Sequence, residues 1–317
     1  GVTFMATTRI TDVIDPEVLS DMIINQYEDK LFMLPGVSNE VSFPIPTKGT
    51  LWEIPYADVL GDLETFIAGT PLTIQSMTQD VFRSVVIRKG GLYGVDKIVK
   101  LAGLKNPMDY FAEQFSNLML KANMETQIAV LTGAIPSANI NNQTGVSVSE
   151  AIIQATKQKL GDMASDLKYF VCHSAIYATL EAGGKITWQP ASQVLPVLAG
   201  ANNSQVIDAR TGMVPTIAGM IIVQSDKCTY SSPDYFSFLL GEKSMGLFYQ
   251  QTVNFDTDRD ISLKEDYISP DFDFVMPVYG VDYTKTDYTI VELEKTANYA
   301  LKWDQKLVKA CRLICTP

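Results

Sequence analysis

Polar and apolar positions alternate in three different ways along the chain, and each predicts its own kind of element. Near the beginning, Asp15-Pro16-Glu17 supplies a capping acid and a first-turn proline, and Val18, Leu19, Met22, Ile23 and Ile24 follow at helical spacing. A short helix is predicted there, stopped by Pro35-Gly36, and positions 37–46 read as an extended, proline-broken arm. Thr50 to Tyr56 (TLWEIPY), Leu72 to Ile74 and Val81 to Arg88 (VFRSVVIR) are rich in β-branched and aromatic residues and predict the strands of a hairpin. Between them Ala57 to Thr70 (ADVLGDLETFIAGT) carries acids and two glycines. A connection of about fourteen residues is longer than hairpins use, which marks a projecting loop with its own task.

Asn106-Pro107-Met108-Asp109 then opens the longest predicted helix, running to about Thr132 with Gly133 as its stop. Met108, Ala112, Phe115 and Met119 form one apolar ladder, and Leu120, Met124, Ile128 and Leu131 an adjacent one. Such a rod measures roughly 37 Å. Pro136 to Gly145 (PSANINNQTG) reads as a polar loop. From Val148 the pattern becomes an α/β layer: a helix at Glu150 to Leu160, a strand at Lys168 to Cys172, and a helix at Ala175 to Glu181 ended by Gly183-Gly184. A Gly- and Asn-rich loop to about Ser204 precedes strands at Met220 to Val223 and Tyr235 to Leu240. Strands resume beyond Val253 (VNFDTDRDISL, FDFVMPVYGVDY), and Leu307 to Cys315 predicts a last one. The fold class is α+β, and the chain has no internal repeat.

Composition narrows the function. With 317 residues and 46% hydrophobic content the chain supports a sizeable core. A formal net charge of −11 argues against a protein that lives by gripping phosphates, which needs clustered Lys and Arg. An acidic surface also keeps a polyanion from sticking to it. Four cysteines without a C-x-x-C pair, together with a single histidine, disfavour both a zinc site and a disulfide scaffold, and predict reduced thiols in a cytosolic setting. Apolar runs such as MIIV fall far short of the ~20 residues of a membrane span, and the N-terminus lacks a signal-peptide pattern. Gly1 precedes an internal Met5 followed by a natural-looking start, so GVTF is read as an upstream extension or a processing remnant.

Candidate chemistry is sparse, and no catalytic, cofactor-binding or metal-binding residue is assigned. Cys172-His173-Ser174 holds the only histidine, but neighbours on a strand point to opposite faces, so His173 is a poor base for Cys172. Ser174 is expected to cap the following helix. Gly241-Glu242-Lys243-Ser244 resembles the end of a phosphate loop, yet Glu242 stands where glycine is required. Asp256, Asp258 and Asp260 have calcium-loop spacing, but Ile261 and Tyr267 replace the necessary glycine and glutamate. Read as a strand, those acids share one face, with Arg259 on the other. Asp58, Asp62 and Glu64 sit on the projecting tip rather than in a cleft that could tune their acidity. Trp52 has two readings, core residue or partner anchor.

The order of these segments resembles the HK97-type major capsid proteins of tailed double-stranded DNA bacteriophages. The resemblance rests on ITDVIDPEVLSDMI, IPYADVLGDLE, MDYFAEQFSNLMLKANMETQIAVLTG, YFVCHSAIYATL and NYALKWDQKLVKACRLI, in that order, and spans nearly the whole chain. It implies an N-arm at 1–46, an extended E-loop at 47–84 and a P-domain with a spine helix at 85–145. An A-domain at 146–252 and return strands at 253–317 complete it. It further implies hexamers and pentamers of this chain that close an icosahedral shell around double-stranded DNA. A scaffolding protein, a portal and a decoration protein are the further partners, no membrane is involved, and the location is a virion assembled in the host cytoplasm. Some members of the family crosslink through an E-loop lysine; here Lys48 lies at the hairpin base and none at its tip, so that chemistry is not carried over. Trp52, Asp62, Glu64, Arg83, Arg259 and Asp260 are the expected subunit contacts, with Asp62 and Glu64 meeting Arg83 or Arg259 of an adjacent copy. Two other readings stand beside this one: an encapsulin-like compartment on the same fold, and a cytosolic hydrolase centred on Cys172.

Overall fold

A computed structural model describes residues 37–38, 49–57, 79–96, 107–190, 213–260 and 265–317. The predicted N-terminal helix and the tip of the hairpin, with Asp58, Asp62 and Glu64, lie outside the described residues, as does the Leu72 to Ile74 strand. The first elements are β1 (Val37–Ser38), the hairpin strands β2 (Leu51–Ala57) and β3 (Gln79–Gly90), β4 (Tyr93–Asp96) and helix α1 (Pro107–Ala134). The middle of the chain gives β5 (Ile140–Ser147), α2 (Glu150–Lys157), β6 (Leu167–Cys172), α3 (Ser174–Ala182), β7 (Thr187–Pro190), β8 (Met213–Ile217) and β9 (Met220–Gln224). It continues with β10 (Tyr235–Gly241), β11 (Met245–Gly246), β12 (Phe248–Asp260) and β13 (Glu265–Val275). The last elements are β14 (Val281–Tyr283), α4 (Ile290–Leu293), β15 (Tyr299–Leu301) and β16 (Ala310–Thr316).

Two sheets organise these elements. A seven-stranded mixed sheet has the order β5-β16-β10-β6-β9-β8-β7, and a five-stranded sheet has the order β12-β13-β3-β2 with β4 also on β13. The central strands of the first are buried on both faces, which is why they read as unbroken apolar runs. In β6, Tyr169 and Val171 point into a core shared with α1, whereas Phe170 and Cys172 point into a second core with Ile153 of α2 and Ile176 and Leu180 of α3. The five-stranded sheet carries a third, aromatic core at the root of the hairpin.

Helix α1 has 28 residues, about 42 Å of rod. Its middle is one-sided: Phe115 and Met119 are buried, while Gln114, Asn117, Leu118 and Lys121 are exposed. From Thr126 to Ala134 it is buried all round, because this end passes through the main core. Two side-chain amide nitrogens buried on this helix find partners: Asn123 Nδ2 donates to Tyr249 OH at 2.9 Å and Gln127 Nε2 to Met245 Sδ at 3.3 Å. The helix has no basic residue in its last turn. Arg312 of β16 supplies the charge instead, donating from Nη1 to the Thr132 carbonyl with its guanidinium over the Phe236 ring.

Several sequence expectations need correction. Gly133 does not stop α1 but lies within it, where a Cβ would come 2.1 Å from the Leu293 carbonyl oxygen and 2.5 Å from the Tyr299 ring. It is a close-approach glycine that lets α4 touch the helix. The polar stretch Pro136 to Gly145 is not a loop. It makes a 3₁₀ turn (Ser137–Asn139) and then β5, an edge strand parallel to β16. Asn141 escaped the strand pattern because its burial is compensated by a hydrogen bond to Thr156 Oγ1 at 2.9 Å. The helix beginning at Glu150 ends at Lys157, and a 3₁₀ segment follows to Asp166, broken at Gly161, whose φ is +57°.

Candidate assembly surfaces

The hairpin root is built by alternation. Trp52 and Ile54 of β2 face inward with Phe82 and Ser84 of β3, while Glu53 and Arg83 face outward directly opposite each other. Inside, Trp52 meets Phe248 edge-on at 5.1 Å, and Phe82 packs against Tyr56, Tyr279 and Trp303 with ring centroids 6.0 to 6.3 Å away. Trp303 can enter because position 280 is glycine. There φ is +85° and a Cβ would lie 2.8 Å from the indole. The two readings of Trp52 are therefore resolved. At 3% exposure it belongs to the core of its own subunit and is corrected from the expected subunit contacts.

A polar latch closes the same root. Asp80 accepts from Lys302 Nζ at 2.9 Å, from Tyr56 OH at 3.2 Å and from its neighbour's main-chain N–H (Val81) at 2.8 Å. The Lys302 bond first, and then the Val81 N–H, hold the Asp80 carboxyl below the usual carboxylate range, and Asp80 in turn raises the Lys302 ammonium. A depressed carboxyl stabilises the fold above its unfolded value and loses that contribution as pH falls through the folded one. Asp80→Asn is therefore expected to melt lower than wild type at neutral pH, and the gap should close on acidification below about pH 4. Thermal melting of both proteins across pH checks this, and a gap that does not narrow would remove the ion pair from the account.

Arg83 keeps its outward position, with Nε 2.9 Å from Glu53 Oε1 and both side chains about half exposed. An exposed cross-strand pair of this kind contributes only about 0.2–1 kcal/mol, so it can exchange partners at little cost. Its main-chain N–H is more firmly held, donating to Asp282 Oδ1 at 2.6 Å. Arg259 and Asp260 occupy the last two positions of β12, in register with Asp266 and Glu265 of β13. Sequence reading missed Asp80, Lys302 and Trp303. No local signal joins residues 222 positions apart.

The Cys172-His173-Ser174 junction proves to be a cap, although not the expected one. Ser174 is the first residue of α3, and His173 is the N-cap, its Nδ1 accepting from Ala175 N–H at 3.1 Å. Cys172 is fully buried, and burial above all pushes its thiol far up, so no thiolate is on hand. The other three cysteines are also free and buried. Cys172 is expected to resist alkylation in the native protein at about pH 8 and to react only on unfolding, which mass spectrometry of iodoacetamide-treated protein reads directly. Among the described residues no group of three or more His, Cys, Asp or Glu is placed to hold a metal, and no helix is long and apolar enough to cross a membrane.

No family model and no curated protein matches the chain. Solved structures do. The capsid of Ralstonia phage GP4 superposes with a TM-score of 0.59 at 7% identity, over 88% of this chain and 87% of that one. The capsid of a native GTA particle gives 0.56 at 9% identity, over 92% and 91%. This is the HK97-type capsid fold. A third likeness, the holo-SrpI encapsulin complex of Synechococcus elongatus PCC 7942, gives 0.52 at 9% identity over 99% of this chain and 91% of that one. The likeness thus spans most of the sequence, with hairpin, long helix and α/β layer in one order among the described residues. At such identities the likeness carries architecture, and function has to be argued separately.

Proposed function

We propose that this chain is the major capsid protein of a tailed bacteriophage, a structural rather than catalytic subunit that assembles into the hexamers and pentamers of an icosahedral shell around double-stranded DNA. The observation that carries the reading is coverage. Capsids from several phages superpose over about nine-tenths of this chain and of theirs, which supports reading the subunit as a whole in this way. In this reading 1–46 is the N-arm, 47–84 the E-loop, 85–145 the P-domain, 146–252 the A-domain and 253–317 the return strands. A root as firmly packed as that of β2 and β3 suits an arm whose far end is covered by another copy, and head-to-tail contacts are what close a ring. Asp62 and Glu64 of one copy meet Arg83 or Arg259 of the next, Arg83 releasing Glu53 to do so. The net charge of −11 suits a wall that holds DNA without gripping it. A scaffolding protein, a portal and a decoration protein are the partners of such a shell, its location is the virion, and assembly takes place in the host cytoplasm.

A compartment shell is the second reading, favoured by the encapsulin likeness over 99% of the chain. Negative-stain microscopy and size-exclusion chromatography of the purified chain test both. Shells, rings or tubes are expected, if necessary after addition of a scaffolding protein. A chain that stays monomeric with scaffold present overturns the proposal. Particles from the native source that contain DNA and a portal select the phage reading, and particles filled with one enzyme select the compartment.

A further inference from the structure

The single histidine caps α3 in a way that depends on its protonation. His173 reaches the helix through Nδ1, which accepts the Ala175 N–H at 3.1 Å and so must carry a lone pair rather than a proton. Its main-chain carbonyl accepts the Tyr177 N–H at 3.1 Å, which anchors the residue to the first turn. The ring is stacked on Tyr235 of β10, with centroids 4.2 Å apart, and its side chain is 17% exposed. Nε2 points to Asp226, in the connection from β9 to β10, with 3.9 Å between Nε2 and Oδ1. Among the described residues the imidazole is faced by Asp226 from the β9–β10 connection and by the Tyr235 ring from β10, while the Cys172 thiol is turned away into the second core. Lys227, next in the chain, is turned to Glu125 of α1 at 3.0 Å. A Ser174 hydrogen bond above all holds the Asp226 carboxyl below the usual range, so it stays ionised in mild acid.

We propose that the β6–α3 junction is an acid-operated latch, in which protonation of His173 at Nδ1 breaks the cap of α3 and transfers the imidazolium to Asp226. The proton balance is simple: one proton from solvent occupies the Nδ1 lone pair, and no other bond is made or broken covalently. Two donors, Nδ1–H and the Ala175 N–H, then face each other. The positive end of the helix also repels an imidazolium. Asp226 is within a short swing of Nε2 and offers the alternative partner. The capped state is the one present at high pH, and it is lost as pH falls. The inference goes beyond the shell reading and does not depend on it.

Hydrogen exchange of the peptide covering α3, corrected for intrinsic rates, tests the latch at pH 7 and pH 5 in the full chain. Wild type is expected to exchange about fivefold faster at the lower pH, the effect of losing one capping side chain. His173→Asn, which caps without titrating, should show equal protection at both. Equal protection in wild type, or the same loss in the Asn variant, overturns the proposal. Because the chain has one histidine, its imidazole nitrogens give an unambiguous 15N signal that needs no variant. Nδ1 should be bare and Nε2 protonated at pH 7, and a protonated Nδ1 there also overturns it.

Discussion

Gly133→Ala is expected to destabilise the protein by about 2–3 kcal/mol, although alanine is the best helix former and the exchange lies inside a helix. Propensity alone would favour alanine by about 1 kcal/mol. Against it stands the contact with α4: a Cβ would lie 2.1 Å from a main-chain oxygen (Leu293) and 2.5 Å from the Tyr299 ring. A backbone carbonyl cannot swing aside like the end of a lysine, so the helices have to separate, and forced overpacking of this kind costs about 1–3 kcal/mol or more. The steric term wins. Tyr299 moves with the displaced segment, and with it the contacts of β15 with β14, which bear on the strand pair Val281–Leu301 and its neighbours. Chemical denaturation of the purified chain measures the loss, and a variant at least as stable as wild type would show that α4 does not bear on the helix.

The second large effect is expected at Phe82. Phe82→Ala should cost about 3–5 kcal/mol, the range for emptying an aromatic site in a core. Phe82 is 2% exposed and stands between Tyr56 of β2, Tyr279, and Trp303, so its removal leaves three rings without their common neighbour. The loss also falls where the hairpin joins the body. The Asp80–Lys302 latch spans the same gap, but an exposed ion pair cannot replace aromatic packing. Denaturant midpoints give the stability. Limited proteolysis in 58–78 gives the second readout, and it should speed up only if the root has loosened. Unchanged cleavage with lowered stability would separate the packing of the root from the exposure of the arm.

The fold was legible wherever one physical demand dominated. FVC, MIIV and FSFLL announce strands because both faces of the central sheet are buried, and the two apolar ladders announce α1 because one of its faces is. Legibility failed where a demand was met at a distance. INNQ in β5 is polar because an edge strand can be, with Asn141 answered by Thr156. Gly133 has the composition of a helix stop and the role of a contact, and only the position of Leu293 tells them apart. His173 and Ser174 were transposed as caps because a serine is the commoner choice, and the ring's place against Tyr235 is invisible in sequence. Trp52 could not be assigned for a related reason: alternation shows that it faces inward, but not whether its own subunit or a neighbour lies there.

The position of β16 in the large sheet sets a schedule for synthesis. It lies between β5 and β10, so the first strand of that sheet to be translated has no partner until residues 310–316 emerge from the ribosome. Until then β10 has one open edge, the Arg312 charge is missing from the end of α1, and the second core lacks Cys311, Leu313 and Cys315. A nascent chain stopped short of that strand therefore exposes apolar surface and cannot present a finished subunit. Only a chain read through to β16 joins β5 to the rest of the seven-stranded sheet and completes the second core.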